Sequence, residues 1–195
     1  LSGETTDTNG PWLGRRLAAL GVPVVRRWIV RDDAEAIQAA LSAALRIADL
    51  IIVTGGLGPT RDDLTRPAVA DLLGLDLQPD PDIVDDLRER FRARGIPDLP
   101  TSNLSQAEVP RGAQVLTNKL GSAPGLLMEH EGRSVALLPG VPREMRGIFD
   151  DVLADVLRDR FEDRLVPLVH RTLYTTGIAE SVLGERVDEV RAGLP

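Results

Sequence analysis

The stretch "DLIIVTGGLGPTRDDLT", from Asp49 to Thr65, constrains this chain more than any other. Leu50 to Thr54 is a continuous apolar run of strand length, the pattern of a strand covered on both faces in a parallel sheet. Gly55, Gly56 and Gly58 follow at once, and a helix opens near Thr65, which can cap it, with Pro67 tolerated in its first turn and Gly74 ending it. A strand that runs through a glycine turn into a helix belongs to α/β architecture, where ligands bind beyond the carboxyl ends of the strands. Free loop N–H groups and a helix N-terminus favour an anion at that place. Asp62 and Asp63 stand beside the turn and would repel it. A divalent cation shared between carboxylates and phosphate oxygens reconciles the two. The alternative is that both carboxylates cap the helix.

The remaining pattern extends the α/β reading. "PWLGRRLAALG" (Pro11 to Gly21) has helical spacing, with Asn9 as a candidate N-cap, and "VPVVRRWIV" (Val22 to Val30) has the β-branched content of a strand. Ile37, Leu41, Leu45 and Ala48 mark a second helix, and Pro81 to Arg94 another. "AQVLTN" predicts a strand, and "GLLMEHE" with "RSVALLP" a pair joined near Gly132. A helix then runs from Pro142 to about Arg160. After Val166 an alternating strand and the helix "AESVLGERVDEVRAGL" suggest the start of a second unit. The expectation is a three-layer α/β domain on a mostly parallel sheet over residues 1–163, with a partial subdomain over 164–195.

Composition narrows the chemistry. The 195 residues carry a net charge of −7 and only 3% aromatics, which argues against a nucleic-acid surface. No apolar run reaches the ~18 to 20 residues of a membrane span, and the polar start "LSGETTDTNG" has no signal-peptide character, so a cytoplasmic protein is expected. Cysteine is absent, which leaves no thiolate nucleophile and requires oxygen ligands for any metal. There is no G-x-S-x-G, and neither histidine is well placed: His130 lies between two glutamates near a turn and His170 in the expected strand. Neither a Walker loop nor a G-x-G-x-x-G fingerprint is present. A second turn of similar design does occur, "LLPGVPREM" (Leu137 to Met145), so two glycine turns can face one cleft. Metal-assisted hydrolysis is the chemistry this inventory permits. Lys119 is the one lysine among 23 basic residues, which suggests a compact charge placed on phosphate.

The motifs "SGETTDTNGPWLGRRL", "TGGLGPTRDDLT", "NKLGSAPG", "LLPGVPREM" and "TTGIAES" occur in an order that resembles the competence/damage-inducible CinA family. Its N-terminal domain is similar to the molybdopterin-binding MogA/MoaB fold. The resemblance covers essentially the whole chain and implies a KH-like second subdomain, a homodimer, and a strand preceding "LSGE" that carries part of the site. It also implies a metal-dependent ADP-ribose pyrophosphatase using Mg²⁺, Mn²⁺ or Co²⁺. The amidase reaction of the family's separate C-terminal domain is not implied for these residues. Asp63 corresponds to the Asp of an Asp-x-Thr signature and would contact metal or diphosphate, with Asp62 and Lys119 beside it in catalysis. Glu4 and Glu144 join Asp63 as candidate metal ligands, though Glu144 in a first helical turn also suits the helix dipole. Gly55, Gly56, Gly58, Thr60, Asp32, Gly121, Ser122, Pro139, Gly140 and Glu180 would contact substrate. For Asp32 the neighbouring Asp33 is an equally good helix cap, Asp7 and Asn9 could reach the same cleft, and Glu180 with Ser181 either closes that cleft or caps a helix. The alternatives to the hydrolase are a pterin-nucleotide binding protein and a non-enzymatic partner of the competence machinery.

Overall fold

A computed structural model of the protein describes residues 6–166, 172 and 174–193. The sheet at its centre is built from β1 (Leu50–Thr54), β4 (Gln114–Leu116), β5 (Gly125–His130) and β6 (Arg133–Leu138), in the order β1-β6-β5-β4. β1 and β6 are parallel and in register from Leu50 opposite Ser134 to Thr54 opposite Leu138. The other two pairs are antiparallel, so the sheet is mixed rather than mostly parallel. The cause is local. β5 and β6 are joined by Glu131 and Gly132, both with positive φ (49° and 77°), and a two-residue turn of that hand can connect only antiparallel neighbours.

Alternation along β5 and β6 sends side chains to two separate cores. Leu126, Met128, Val135 and Leu137 pack with α2 (Ala34–Leu45), α3 (Thr65–Leu73) and α4 (Pro81–Ala93) on one face. Leu127, Ala136 and Leu138 pack on the other with α1 (Asn9–Leu20), α5 (Pro142–Ile148) and α6 (Ala154–Phe161). The expected three layers are therefore present. α5 passes into α6 through one π-helical turn, Phe149–Leu153, whose Phe149 is fully buried with its ring edge-on to Trp12, centroids 5.4 Å apart. A short antiparallel pair, β2 (Leu77–Pro79) with β3 (Glu108–Pro110), and a 3-10 turn over Thr101–Ala107 have no counterpart in the sequence reading.

Val22 to Val30 is the clearest departure. It forms no ladder, and Val24, Val25 and Ile29 are 51, 65 and 60% exposed. β-branched content favours an extended backbone, but a strand also needs a neighbour's N–H and C=O groups. Here the segment is separated from β1 by a groove of about 620 Å³, whose lining includes Leu13 and Leu17 of α1, Ile37 and Leu41 of α2, and Ile51 and Val53 of β1. At the other end of the chain, α7 (Glu180–Ala192) buries none of its residues. The strand expected after Val166 lies almost entirely outside the described residues. No helix among the described residues is long and apolar enough to cross a membrane.

The turn between β5 and β6 makes a simple test. Replacing Gly132 by Ala forces a Cβ into left-handed backbone and is expected to cost about 1 kcal/mol, whereas Glu131→Asn is expected to stabilise by a fraction of that. Urea unfolding midpoints of the two variants check the opposite signs.

Candidate functional site

The parallel pairing of β1 with β6 delivers both glycine turns to the same end of the sheet. Gly55 N–H donates to the Leu138 carbonyl (2.9 Å), and a Cβ placed on Gly140 would lie 3.2 Å from the Gly55 Cα. The turns thus touch backbone to backbone. Gly56 has φ +67° and a Cβ there would overlap the Thr65 hydroxyl, so both its conformation and its space exclude a side chain. A third element arrives through Asn9, whose amide donates to the Gly140 carbonyl (2.8 Å). Asn9 is the first residue of α1 rather than its cap, since the capping position falls on Thr8 and the backbone N–H of Gly10 is met by Asp7 Oδ1 (3.0 Å).

Asp63 resolves the conflict between a phosphate-type loop and its carboxylates in an unexpected way. Its Oδ2 accepts from the Thr60 N–H (2.9 Å) and the Thr60 hydroxyl (2.6 Å), and its carboxylate lies against Gly58. The loop carries its own anion. Burial works to raise the Asp63 pKa, but the Thr60 hydrogen bonds and the Gly58 backbone beside it, helped by the charge of Arg66, outweigh it and hold the carboxyl below its ordinary value. Neither Asp62 nor Asp63 caps α3: the capping position is Leu64, without a side-chain bond, and Thr65 is the buried first residue of the helix rather than its cap. Asp62 is exposed and its side chain makes no hydrogen bond or ion pair among the described residues.

The loop after β4 is organised by Asn118, 5% exposed, which sequence reasoning missed. Its Oδ1 accepts from the N–H groups of Leu120 and Gly121 (both 2.9 Å), and its amide donates to the Ala123 carbonyl (2.8 Å) and to Glu144 Oε2 (2.7 Å). Glu144 lies against Gly121, where any Cβ would overlap its carboxylate. This ties the loop to the helix that follows the second glycine turn. Glu144 therefore braces the loop and is not displayed as an open ligand. Ser122 joins the same assembly, its hydroxyl meeting the Gln106 amide at 3.3 Å. Lys119 instead pairs on the surface with Asp151 (2.9 Å), its side chain 68% exposed. An Asn two positions before a Leu-Gly pair is a turn signal that could have identified Asn118. Arg66, buried in α3, had no such signal, because its position in a helical pattern reads as surface.

Of the other candidates, Asp32 is exposed on the groove wall with Asp7 and Thr54, and its neighbour Asp33 caps α2 through the Ala36 N–H (2.9 Å). Pro139 is buried behind the second turn. Glu180 opens α7, is exposed, and neither caps it nor makes a hydrogen bond or ion pair among the described residues. Glu4 and His170 lie outside the described residues. Among the described residues no three acidic or imidazole groups converge on one point, so no pre-built metal cage is present. The donor set that remains is Asp62 with Asp63 beside the loop. Two carboxylates suit a Mg²⁺-like ion that takes its other ligands from water and phosphate.

A family model described as a probable molybdopterin binding domain matches residues 1–159. A crystal structure of the protein CinA, of unknown function, from Thermoplasma acidophilum is 36% identical with a TM-score of 0.73, covering 79% of this chain and 89% of that one. The chain belongs to the CinA family. A CinA-like protein from Gemmatimonas aurantiaca is 47% identical over the whole chain, and a putative competence-damage inducible protein from Symbiobacterium thermophilum is 43% identical over 98% of it. The chain spans 46 and 45% of the lengths of these two CinA relatives. MoaB from Thermus thermophilus, 24% identical with a TM-score of 0.53 over 82% of this chain and 86% of that one, shares the fold.

Two outcomes follow for this CinA-family loop. Asn118→Ala, which strands two N–H groups and the Glu144 carboxylate, is expected to cost about 1 to 3 kcal/mol in urea unfolding. Because the Asp63 pKa is lowered on folding, the unfolded state takes up the proton first as pH falls. The Asp63 contribution is complete above about pH 4, the ordinary Asp value, and is lost as pH drops through the folded value. Unfolding between about pH 2 and 6 is expected to show a steeper acid loss in the parent than in Asp63→Asn.

Proposed function

We propose that this CinA-family chain hydrolyses the diphosphate of ADP-ribose, giving AMP and ribose 5-phosphate, with a divalent cation. The observation that carries the reading is the contact of two glycine turns at the carboxyl ends of parallel neighbours, with Asp62 and Asp63 on the rim. Backbone N–H groups of Gly56 and Gly140 would supply donors to a diphosphate at the place where open α/β sheets bind ligands. Asp62 and Asp63 would hold the cation, which when bound polarises a phosphoryl oxygen and acidifies the attacking water. Water adds to one phosphorus, the bond to the bridging oxygen breaks, and that oxygen leaves with the other phosphate. The Asn118 and Glu144 brace keeps the Gly121 region in shape while the charge of the leaving phosphate grows.

A second reading, binding of a pterin nucleotide without hydrolysis, is supported by the domain match over residues 1–159. The two part on turnover. Incubation with ADP-ribose and Mg²⁺, Mn²⁺ or Co²⁺, followed by chromatography, is expected to give AMP that EDTA abolishes. Asp62→Asn and Asp63→Asn are each expected to lower the rate at least about 100-fold in folded protein. Parental rates in both variants would remove these carboxylates from the chemistry, and tight pterin binding without AMP would favour the second reading.

A further inference from the structure

Arg66 is 3% exposed yet pairs with no carboxylate at ion-pair distance among the described residues. Its Nη2 donates to the Leu57 carbonyl (2.9 Å), its Nη1 donates to the Ser105 carbonyl, and its Nε is buried without a partner among the described residues. Burial of a cation is costly, and two carbonyls offset it only in part. An apolar side chain would fill the space at less cost.

The carbonyl it grips explains the arrangement. Leu57 C=O and Gly58 N–H belong to one planar trans peptide, so they point in opposite directions. Arg66 holds the carbonyl side, and on the Gly58 side the Asp63 carboxylate lies so close that a Cβ on Gly58 would come within 2.6 Å of its Oδ2. The last peptide of "GGLG" thus sits between a buried cation and a carboxylate. The same guanidinium reaches Ser105, next to Gln106, which meets Ser122 of the Asn118 loop. One buried side chain therefore fixes the peptide plane of the glycine loop and links it to the second loop of the site.

We infer that Arg66 is a positioning residue of the glycine loop: by fixing the Leu57–Gly58 peptide it decides which N–H groups face a bound oxyanion, and so sets affinity for a phosphate-bearing ligand. The affinity half of this inference rests on the diphosphate reading above; the clamp does not. The test uses the full chain with Arg66→Met and Arg66→Lys, and exposed Arg88→Gln as a control. Titration calorimetry with ADP-ribose in EDTA measures affinity without metal, and hydrogen exchange reads the Gly58 amide directly. The expected result is at least tenfold weaker binding and faster Gly58 exchange in Arg66→Met, with Arg66→Lys intermediate because one ammonium keeps the charge but not the planar fork. A purely space-filling role predicts parental Gly58 exchange and affinity in folded Arg66→Met, and that result overturns the inference. If Arg66→Met does not fold, Arg66→Lys decides: parental Gly58 exchange there overturns the clamp. If the parent itself binds no ADP-ribose, the diphosphate reading fails, and Gly58 exchange in the same variants still decides whether the clamp exists.

Discussion

The parallel contact between β1 and β6 is the constraint on which the rest of this structure depends. These strands are far apart in sequence, and their register sets Thr54 opposite Leu138. Each chain then leaves the sheet at the same level and must turn without a Cβ in the way. That is why Gly55 and Gly140 meet. Were β6 antiparallel to β1, the second turn would emerge at the opposite end of the sheet and no shared cleft could form.

Around this contact the polar groups follow one logic: buried and half-buried side chains hold backbone groups so that loops keep a single shape. Asn118 uses both ends of its amide in one loop, Asp63 closes another on itself, and Asn9 fastens α1 to the second turn. Buried polar groups of this kind are stabilising when paired and costly when left unpaired, as the Asn9 Oδ1 is among the described residues. A preorganised set of N–H donors needs that rigidity, since donors that must reorganise lose much of their effect on developing charge.

Much of this was legible in the sequence and some was not, for identifiable reasons. The "LIIVT" run, both glycine turns, the helix ended by Gly21 and the hairpin at Gly132 rest on local pattern and are found in the structure. The mixed sheet was missed because strand direction depends on connection length, which a periodicity reading underweights. Val22 to Val30 has strand composition but lacks a neighbour to pair with among the described residues. The sequence pointed to Asp63, Glu144 and Lys119 but could not show that each already meets a protein group, Thr60, Asn118 and Asp151 respectively. Asn118 stands in a readable turn signal, but Arg66 and its partner Ser105 are distant in sequence, so no spacing rule could anticipate them.

The most direct measurement of the central claim is an NMR titration of the ¹⁵N-labelled chain with ADP-ribose, following backbone amides of both turns. The account predicts that Gly55, Gly56, Gly58 and Gly140 shift together with one saturation curve. Shifts confined to other surfaces, with these four amides unmoved at saturation, would contradict it.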